Sequence, residues 1–151
     1  MAIKNRPEFE KFIRRVEKSS DEFRTSSTEK RHSKQYRTAR ENLAHLVDQD
    51  SFLEFGQFAV AAQRSRRDYE ELQDKTNADG IITGFCSINS ELVGSENSQA
   101  VAIVYDYSVL AGTQGAFHHL KLDRICDQAK KFELPIVIFT EGGGGRPGDT
   151  D

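Results

Sequence analysis

The sequence contains little that would support a zinc site, a disulfide framework or a membrane span. It has two cysteines, Cys86 and Cys126, far apart and with no CxxC spacing, so both thiols are expected to be reduced. No apolar stretch approaches the ~20 residues that a bilayer requires. The first residues, MAIKNRPEFEKF, lack the apolar segment of a secretory signal. We therefore expect a cytoplasmic protein with no membrane contact.

An excess of positive charge is also absent. The net charge is -3 and the pI is about 5.8, so nucleic acids and anionic membranes are not expected partners. The length of 151 residues fits a single domain with one core. Asp149-Thr150-Asp151 has the composition of the start of a further element, and this favours a fragment of a longer protein.

Helical periodicity dominates the first third of the chain. Pro7 begins a stretch whose apolar residues recur at helical spacing as far as Val16. A second helix is predicted in YRTARENLAHLVD, whose inward face is formed by four residues: Ala39, Leu43, Leu46 and Val47. Between these helices, residues 19–34 are rich in Ser, Thr and charge, which predicts a solvated or mobile connection.

After Asp48 the pattern becomes that of strands. SFLEFGQFAVAA and DGIITGFCSI carry β-branched and aromatic residues punctuated by glycine, and the polar residues 63–78 between them predict an exposed loop. QAVAIVYDYSVL is typical of a strand buried on both faces. A helix is predicted over 115–132, followed by PIVIFT as another buried strand. Four residues of this helix are expected to face inward: Phe117, Leu120, Ile125 and Ala129.

The order of strand, turn, helix and strand from Gln99 onward predicts a βαβ unit. Its two glycine turns, VLAGTQG and EGGGGRPGDTD, follow the carboxyl ends of neighbouring parallel strands. In an open α/β sheet, ligands bind at that edge. The two turns together are therefore the candidate site.

The second turn allows three interpretations. Residues 143–148 match GxGxxG, the dinucleotide fingerprint, although a glycine run produces this match easily. A tight strand-to-helix turn needs glycine whatever its function. In the third interpretation, each turn leads to a helix amino terminus, and backbone N–H groups of both turns bind one oxygen atom. Such an oxyanion hole stabilises the enolate of a thioester.

Two histidines and two arginines are weaker candidates. His118 and His119 are adjacent on a helix and face different ways, and no further ligand accompanies them, so no metal site is expected. Arg37 and Arg40 offer forked donors for phosphate. Because their helix is highly charged, we interpret them first as ion-paired or solvated.

Two acidic residues near the turns also allow more than one role. Asp106, at the end of a predicted buried strand, either is functional or caps the turn that follows. Glu141 precedes the glycine run, at a position where a buried carboxyl group would have a raised pKa. The chemistry of an oxyanion hole does not require a base at this position.

Four blocks of the sequence resemble the carboxyltransferase components of biotin-dependent acyl-CoA carboxylases. The blocks are RTARENLAHLVDQDSFLEFGQFA, DGIITGFCSIN, YDYSVLAGTQGAFHHLKLDRICDQA and PIVIFTEGGGGR, and they occur in the family's order. The resemblance implies an α/β, crotonase-like ββα superhelix, incomplete and preceded by helices. It divides the chain into an amino-terminal helix with a polar connection, 1–35, and the first part of a carboxyltransferase domain, 36–151.

The same resemblance implies a reaction and its participants. A carboxyl group moves from carboxybiotin, held on a carrier domain, to the α-carbon of an acyl-CoA. The implied partners are biotin carboxylase and biotin carboxyl carrier components, with homo-oligomers at full length. Because such enzymes combine two crotonase-like domains, this chain is expected to be inactive by itself.

The resemblance also assigns roles to the glycine turns. Gly143, Gly144 and Gly145 would supply N–H groups to the enolate, and four residues would contact acyl-CoA: Ala111, Gly112, Thr113 and Arg146. The family's usual Asp-Ser-Gly-Gly-Ala-Arg and Gly-Gly-Ser differ here. The alternatives are a biotin-independent crotonase-like hydratase, isomerase or decarboxylase, and a dinucleotide-binding module.

Overall fold

The structure is a computed structural model that describes residues 6–150. It contains six helices and four strands in these residues: α1 Pro7–Glu17, α2 Thr25–His32, α3 Ala39–Leu46, β1 Leu53–Phe55, α4 Tyr69–Lys75, β2 Ile81–Ser87, α5 Ser90–Val93, β3 Gln99–Tyr105, α6 Ala116–Phe132 and β4 Ile136–Phe139. Short 3-10 turns precede β2, at Asn77–Gly80, and follow β3, at Leu110–Gly112.

The four strands form one sheet in chain order. β1 pairs antiparallel with β2, and β2 pairs antiparallel with β3. β3 pairs parallel with β4, with α6 as the connection between them. The predicted βαβ unit is therefore present, and it follows an antiparallel β2–β3 pair.

The core lies on both sides of the sheet. Along β2 and β3, alternate side chains point to opposite faces, as the two-residue period of a strand requires. One face packs on α3 through Ala39 and Leu43, and the other packs on α6 through Ile125 and Ala129. β3 is consequently buried on both faces, as its continuous apolar run predicted.

The predicted helices α1 and α3 are confirmed. α1 begins at Pro7, and its Phe12 and Ile13 remain largely exposed. α3 begins with a capping box in which Thr38 and Glu41 satisfy each other's backbone N–H groups. This local signal, together with the predicted apolar face, accounts for the position of α3.

The bounds of α6 agree with the prediction, but its inward face differs. Leu120 is 59% exposed, whereas His118 and Lys121 are buried. Because Ile125 and Ala129 face the sheet, the helical repeat places Lys121 on the same face and Leu120 off it. Phe117, also predicted to face inward, is half-buried.

Two segments predicted to be loops contain helices. α2 lies within residues 19–34, and α4 lies within residues 63–78. In α4, Leu72 is fully buried against Val60 and Ala61. Burial of a leucine contributes about 1.5–3 kcal/mol, which favours the packed helix over a solvated loop.

Two predicted strands also differ from the structure. Within SFLEFGQFAVAA only Leu53–Phe55 is a strand. β4 was predicted to be buried, yet Ile136 and Ile138 are 41% and 45% exposed. Ile136 and Ile138 are alternate residues of β4 and therefore share one face, which is the more exposed of its two faces in residues 6–150.

The amino-terminal helices are attached to the rest of the chain by ion pairs. Arg24 binds Asp106 at 2.6 Å, and Arg31 binds Glu141 at 2.6 Å.

The division of the chain at residue 35 stays a prediction. Residues 1–5 and Asp151 lie outside the described residues, and Asp149 and Thr150 belong to no helix or strand. Among residues 6–150, no helix has the length and apolar character needed to cross a bilayer.

Candidate active site at the two glycine turns

The turns after β3 and β4 lie side by side at the carboxyl end of the parallel strand pair. The Gly143 N–H donates to the Ala111 carbonyl at 3.0 Å, and the Gln114 N–H donates to the Gly144 carbonyl at 2.8 Å. The Arg146 N–H donates to the Gln114 carbonyl at 2.9 Å. The predicted juxtaposition is confirmed, because these hydrogen bonds form a short parallel bridge between the turns.

Two of the glycines allow the turns to approach each other. Gly112 has φ +62°, and a Cβ atom at this position would overlap the Glu141 carbonyl oxygen. A Cβ atom on Gly142 would overlap the Gly112 carbonyl oxygen in return. These positions need glycine for packing, which is the structural explanation that the sequence alone left open.

Gly144 and Gly145 have different surroundings. Gly144 has φ +87°, and a Cβ atom on either residue would have no neighbour within 4 Å. Neither N–H donates a hydrogen bond to another residue of the described chain. These two donors are therefore open to an incoming oxygen atom, whereas the Gly143 N–H is already bound to Ala111.

Arg146 joins the second turn to the first through hydrogen bonds. Its guanidinium is almost fully buried and donates to the Thr113 carbonyl at 2.6 Å and to Thr113 Oγ1 at 3.1 Å. It also binds Asp79 Oδ1 at 2.5 Å and Asp149 Oδ2 at 3.2 Å. These four acceptors already engage its side chain. They do not test the predicted contact of Arg146 with acyl-CoA, which stays a prediction.

The amino terminus of α6 is occupied by the same two carboxylates. Asp149 Oδ2 accepts from the Ala116 N–H at 3.1 Å, and Asp79 Oδ2 accepts from the His118 N–H at 2.8 Å. Burial raises the pKa of Asp79, and the hydrogen bond and charge of Arg146 oppose this rise. The helix end expected to be free for a substrate anion is thus capped internally. No second helix follows the glycine run within residues 6–150.

The buried basic residues of α6 contact the 3-10 turn before β2. Lys121 donates to the carbonyls of Ala78 and Ile81, and burial lowers its pKa to about 8. His118 Nδ1 donates to the Asp79 carbonyl at 3.2 Å, and burial lowers the pKa of this histidine to about 4. His118 is therefore a neutral packed side chain at pH 7. Within residues 6–150 no group of His, Cys, Asp and Glu could hold a metal ion.

The structure also decides the open roles of the weaker candidates. Arg40 makes a two-point ion pair with Glu54, at 2.9 and 3.1 Å, so it is ion-paired as first interpreted. Asp106 accepts from the Ser108 N–H at 3.0 Å and thereby caps the turn. Glu141 was a candidate buried acid, but its side chain is 45% exposed, and it binds Arg31.

Sequence reasoning missed Asp79 and Gln63. Asp79 is fully buried with φ +50°, and Gln63 donates to Asp149 Oδ1 at 2.9 Å. The dipeptide Asp-Gly before β2 is a turn signal that marked Asp79 as unusual. A cleft of about 620 Å³ opens beside the turns, and its lining includes Gln63, Thr113 and Arg146.

Known proteins resemble this chain in sequence and in fold. Residues 30–149 match the carboxyl transferase domain family. The α subunit of methylmalonyl-CoA decarboxylase from Veillonella parvula is 31% identical over 118 residues, which is 78% of this chain and 21% of that protein. A structure of a single-chain, multi-domain long-chain acyl-CoA carboxylase superimposes with a TM-score of 0.92 and 48% identity, over 97% of this chain and 15% of that one.

A transcarboxylase 12S structure, with methylmalonyl-CoA and methylmalonic acid bound, superimposes with a TM-score of 0.66 and 30% identity. The superposition covers 82% of this chain and 22% of that one, so the chain spans about a fifth of the length of these relatives. These likenesses confirm the predicted α/β, crotonase-like fold with an incomplete set of elements. The match over residues 30–149 places the chain in the carboxyl transferase domain family.

Proposed function

We propose that the chain is part of an acyl-CoA carboxyltransferase that adds a carboxyl group to the α-carbon of an acyl-CoA. One observation carries this proposal. In a chain of the carboxyl transferase family, Gly144 and Gly145 present two unpaired N–H groups on an open surface beside a second glycine turn. This donor set suits a carbonyl oxygen that becomes negatively charged during the reaction.

The chemistry assigned to the chain is stabilisation of a thioester enolate. Loss of the α-proton moves negative charge onto the thioester oxygen, and the N–H groups of Gly144 and Gly145 bind that oxygen. The turn of Ala111, Gly112 and Thr113 lines the acyl-CoA, and Arg146 keeps the two turns in register. Because these donors are fixed before the reaction, little reorganisation is needed as charge develops.

Biotin is the carboxyl donor in this proposal. Beside Gly144 and Gly145, carboxybiotin would supply CO2, and the biotin left after that loss would accept the α-proton before CO2 adds to the enolate carbon, as the family resemblance implies. The absence of neighbours within 4 Å of a Cβ atom on Gly144 or Gly145 leaves room for a carrier-bound group to approach. The named relatives also act in carboxyl chemistry of CoA thioesters, as a decarboxylase subunit and as a carboxylase.

The complete activity requires more than these residues. Since the chain spans about a fifth of its relatives, we assign it the first part of the first crotonase-like domain. A second such domain, a biotin carboxylase and a biotin carboxyl carrier component complete the proposed enzyme, which is a homo-oligomer. The chain alone is expected to be inactive.

A decarboxylase is the second candidate function, because one relative is named as a methylmalonyl-CoA decarboxylase subunit. It would use the same enolate-binding donors, so the product of the reaction discriminates between the two functions. A dinucleotide-binding module is less favoured. Residues 30–149 match the carboxyl transferase domain family, which favours a carboxyltransferase over such a module.

The test is a glycine substitution with a matched control. Gly144→Val and Gly94→Val are compared in the carboxyltransferase polypeptide that contains residues 1–151. Both glycines have positive φ, +87° and +81°, and both have open space around a built Cβ atom. Both variants therefore place a side chain at positive φ in open space, and only Gly144 lies at the proposed site.

Transfer of labelled carboxyl from malonyl-CoA to biotin measures the outcome. We expect Gly144→Val to lower the turnover by about 10²–10³-fold, because its side chain keeps the thioester oxygen away from the N–H donors, and the loss of one such contact costs about this much. Gly94→Val should retain most of the turnover. Equal activity of the two folded variants would contradict the assignment of Gly144. Release of CO2 without carboxylated biotin would favour the decarboxylase.

A further inference from the structure

Arginines line the cleft beside the glycine turns. Besides Gln63, Thr113 and Arg146, the lining of this cleft of about 620 Å³ includes Arg66 and Arg67. The loop before α4 contributes Gln63, Arg66 and Arg67 to the lining, and the second turn contributes Arg146 and Pro147. This local positive charge contrasts with the net charge of -3 for the whole chain.

Arg66 is placed for an external anion. Its Nη2 donates to the Gly148 carbonyl at 2.5 Å, which holds the guanidinium across the cleft entrance. Arg66 is exposed and has no carboxylate partner among residues 6–150. An arginine oriented by a backbone carbonyl keeps its remaining donors free for a phosphate group.

Arg67 reinforces this positive charge. It binds Glu71 at 2.6 Å, but Glu71 also accepts from Lys75 at 2.9 Å. One carboxylate is thus shared by two cations, and within the described chain it is the only acidic side chain that lines the cleft. Arg146, by contrast, is neutralised by the buried Asp79 and Asp149.

Thr113 connects the cleft to the second glycine turn. Thr113 lines the cleft, and it also receives the Arg146 hydrogen bonds that join the two turns. A single elongated ligand can therefore place its reacting end at Gly144 and Gly145 and its other end beside Arg66. A CoA thioester has this shape, with an uncharged arm between the thioester and several phosphate groups.

We propose that Arg66 and Arg67 bind the phosphate groups of an acyl-CoA whose thioester oxygen lies at Gly144 and Gly145. The inference rests on the proposed function, and it assigns binding residues to the nucleotide end of that substrate. Because both arginines are exposed, their attraction for phosphate weakens as salt is added, with a screening length of about 10 Å at 0.1 M.

The experiment measures ligand binding by calorimetry to the carboxyltransferase polypeptide that contains residues 1–151. The probes are acetyl-CoA, acetyl-pantetheine, which lacks the nucleotide, and NAD. The variants are Arg66→Ser and, as a control with the same charge change, Arg124→Ser. Arg124 is an exposed residue of α6 that lines a different cavity, with Phe55 and Gly56. Thermal unfolding verifies that each variant is folded.

We expect Arg66→Ser to weaken acetyl-CoA binding about tenfold, the effect of about 1.4 kcal/mol from a charge-assisted contact. Acetyl-pantetheine binding should not change, and Arg124→Ser should behave like the unsubstituted chain. Arg67→Ser should weaken acetyl-CoA binding by a smaller factor, since Glu71 already engages its guanidinium.

Each other outcome contradicts a separate claim. Binding of neither acetyl-CoA nor acetyl-pantetheine would contradict the proposed function together with this inference. Acetyl-CoA binding unaffected by Arg66→Ser, or weakened equally by Arg124→Ser, would overturn the inference alone. NAD binding as tight as acetyl-CoA binding would show a general phosphate cleft and overturn the assignment to CoA.

Discussion

The turn after β3 and the turn after β4 are both rich in glycine, yet Gly144 and Gly145 of the second turn have surroundings unlike those of the first turn's glycines. Gly112 and Gly115 belong to the first turn and lie against backbone, Arg146 and Asp149. Gly144 and Gly145 belong to the second turn, and built Cβ atoms there meet nothing within 4 Å. The first turn is therefore a packed support, and the second presents an open donor surface.

This difference shows that the number of glycines does not identify a site. A glycine is needed for close packing at Gly112, and it leaves access for a ligand at Gly145. Only the neighbours of each Cβ position separate the two cases. Substitutions in each region should accordingly change different properties, stability in the first turn and activity in the second.

The largest effect on stability is expected for Arg146→Met, which breaks the connection between the turns. It leaves Asp79 and Asp149 buried without their cation, a loss of about 3–5 kcal/mol. Urea unfolding measures this loss, with Arg37→Met, on an exposed arginine, as the control. A loss below about 1 kcal/mol would show that the ion pairs do not hold the turns together.

The loss of unfolding free energy caused by Arg146→Met should also depend on pH. Burial raises the pKa of Asp79, and without Arg146 this pKa should rise further. A carboxyl group with a raised pKa in the folded state favours folding at low pH, and that contribution is lost as the pH rises through the raised pKa. The difference in unfolding free energy between Arg146→Met and the unsubstituted protein should therefore become smaller as the pH falls from 7 to about 5. A constant deficit would contradict the role of Asp79.

An intermediate effect is expected for Gly112→Ala in the packed turn. A left-handed backbone costs an alanine about 1–2 kcal/mol, and overlap with the Glu141 carbonyl adds about 1–3 kcal/mol. Gly94→Ala is the comparison, because Gly94 also has positive φ, +81°, but has open space, so no overlap adds to its backbone cost. Equal unfolding free energies of the two variants would show that the turns can separate without penalty.

The smallest effect on stability is expected for Gly145→Ala in the open turn. Gly145 has no positive φ and no neighbour at the Cβ position, so the unfolding free energy should change by less than about 0.5 kcal/mol. Carboxyl transfer by the polypeptide that contains this chain should nevertheless fall about tenfold, because the methyl group obstructs the thioester. Retention of full transfer would remove Gly145 from the site.

Much of the fold was predictable because its signals are local. The capping box at Thr38 and Glu41 determines where α3 begins, and the apolar run of β3 indicated burial on both faces. The helix α4 was not predicted, since its stability depends on Leu72 packing against Val60 and Ala61. The predicted face of α6 was wrong at Leu120, because carbonyls of a distant turn satisfy the buried Lys121.

The features of the candidate site also divide into those that the sequence predicts and those that depend on the fold. The sequence by itself determined the family resemblance, the βαβ order and the position of two glycine turns on neighbouring strands. Only the tertiary structure decided which glycines are packed and which N–H groups are unpaired. Asp79 and Arg146 are 67 positions apart, and their pairing depends on the sheet register and on α6. Contacts between residues so distant in the chain leave no periodic or spacing signal, so the fold alone brings them together.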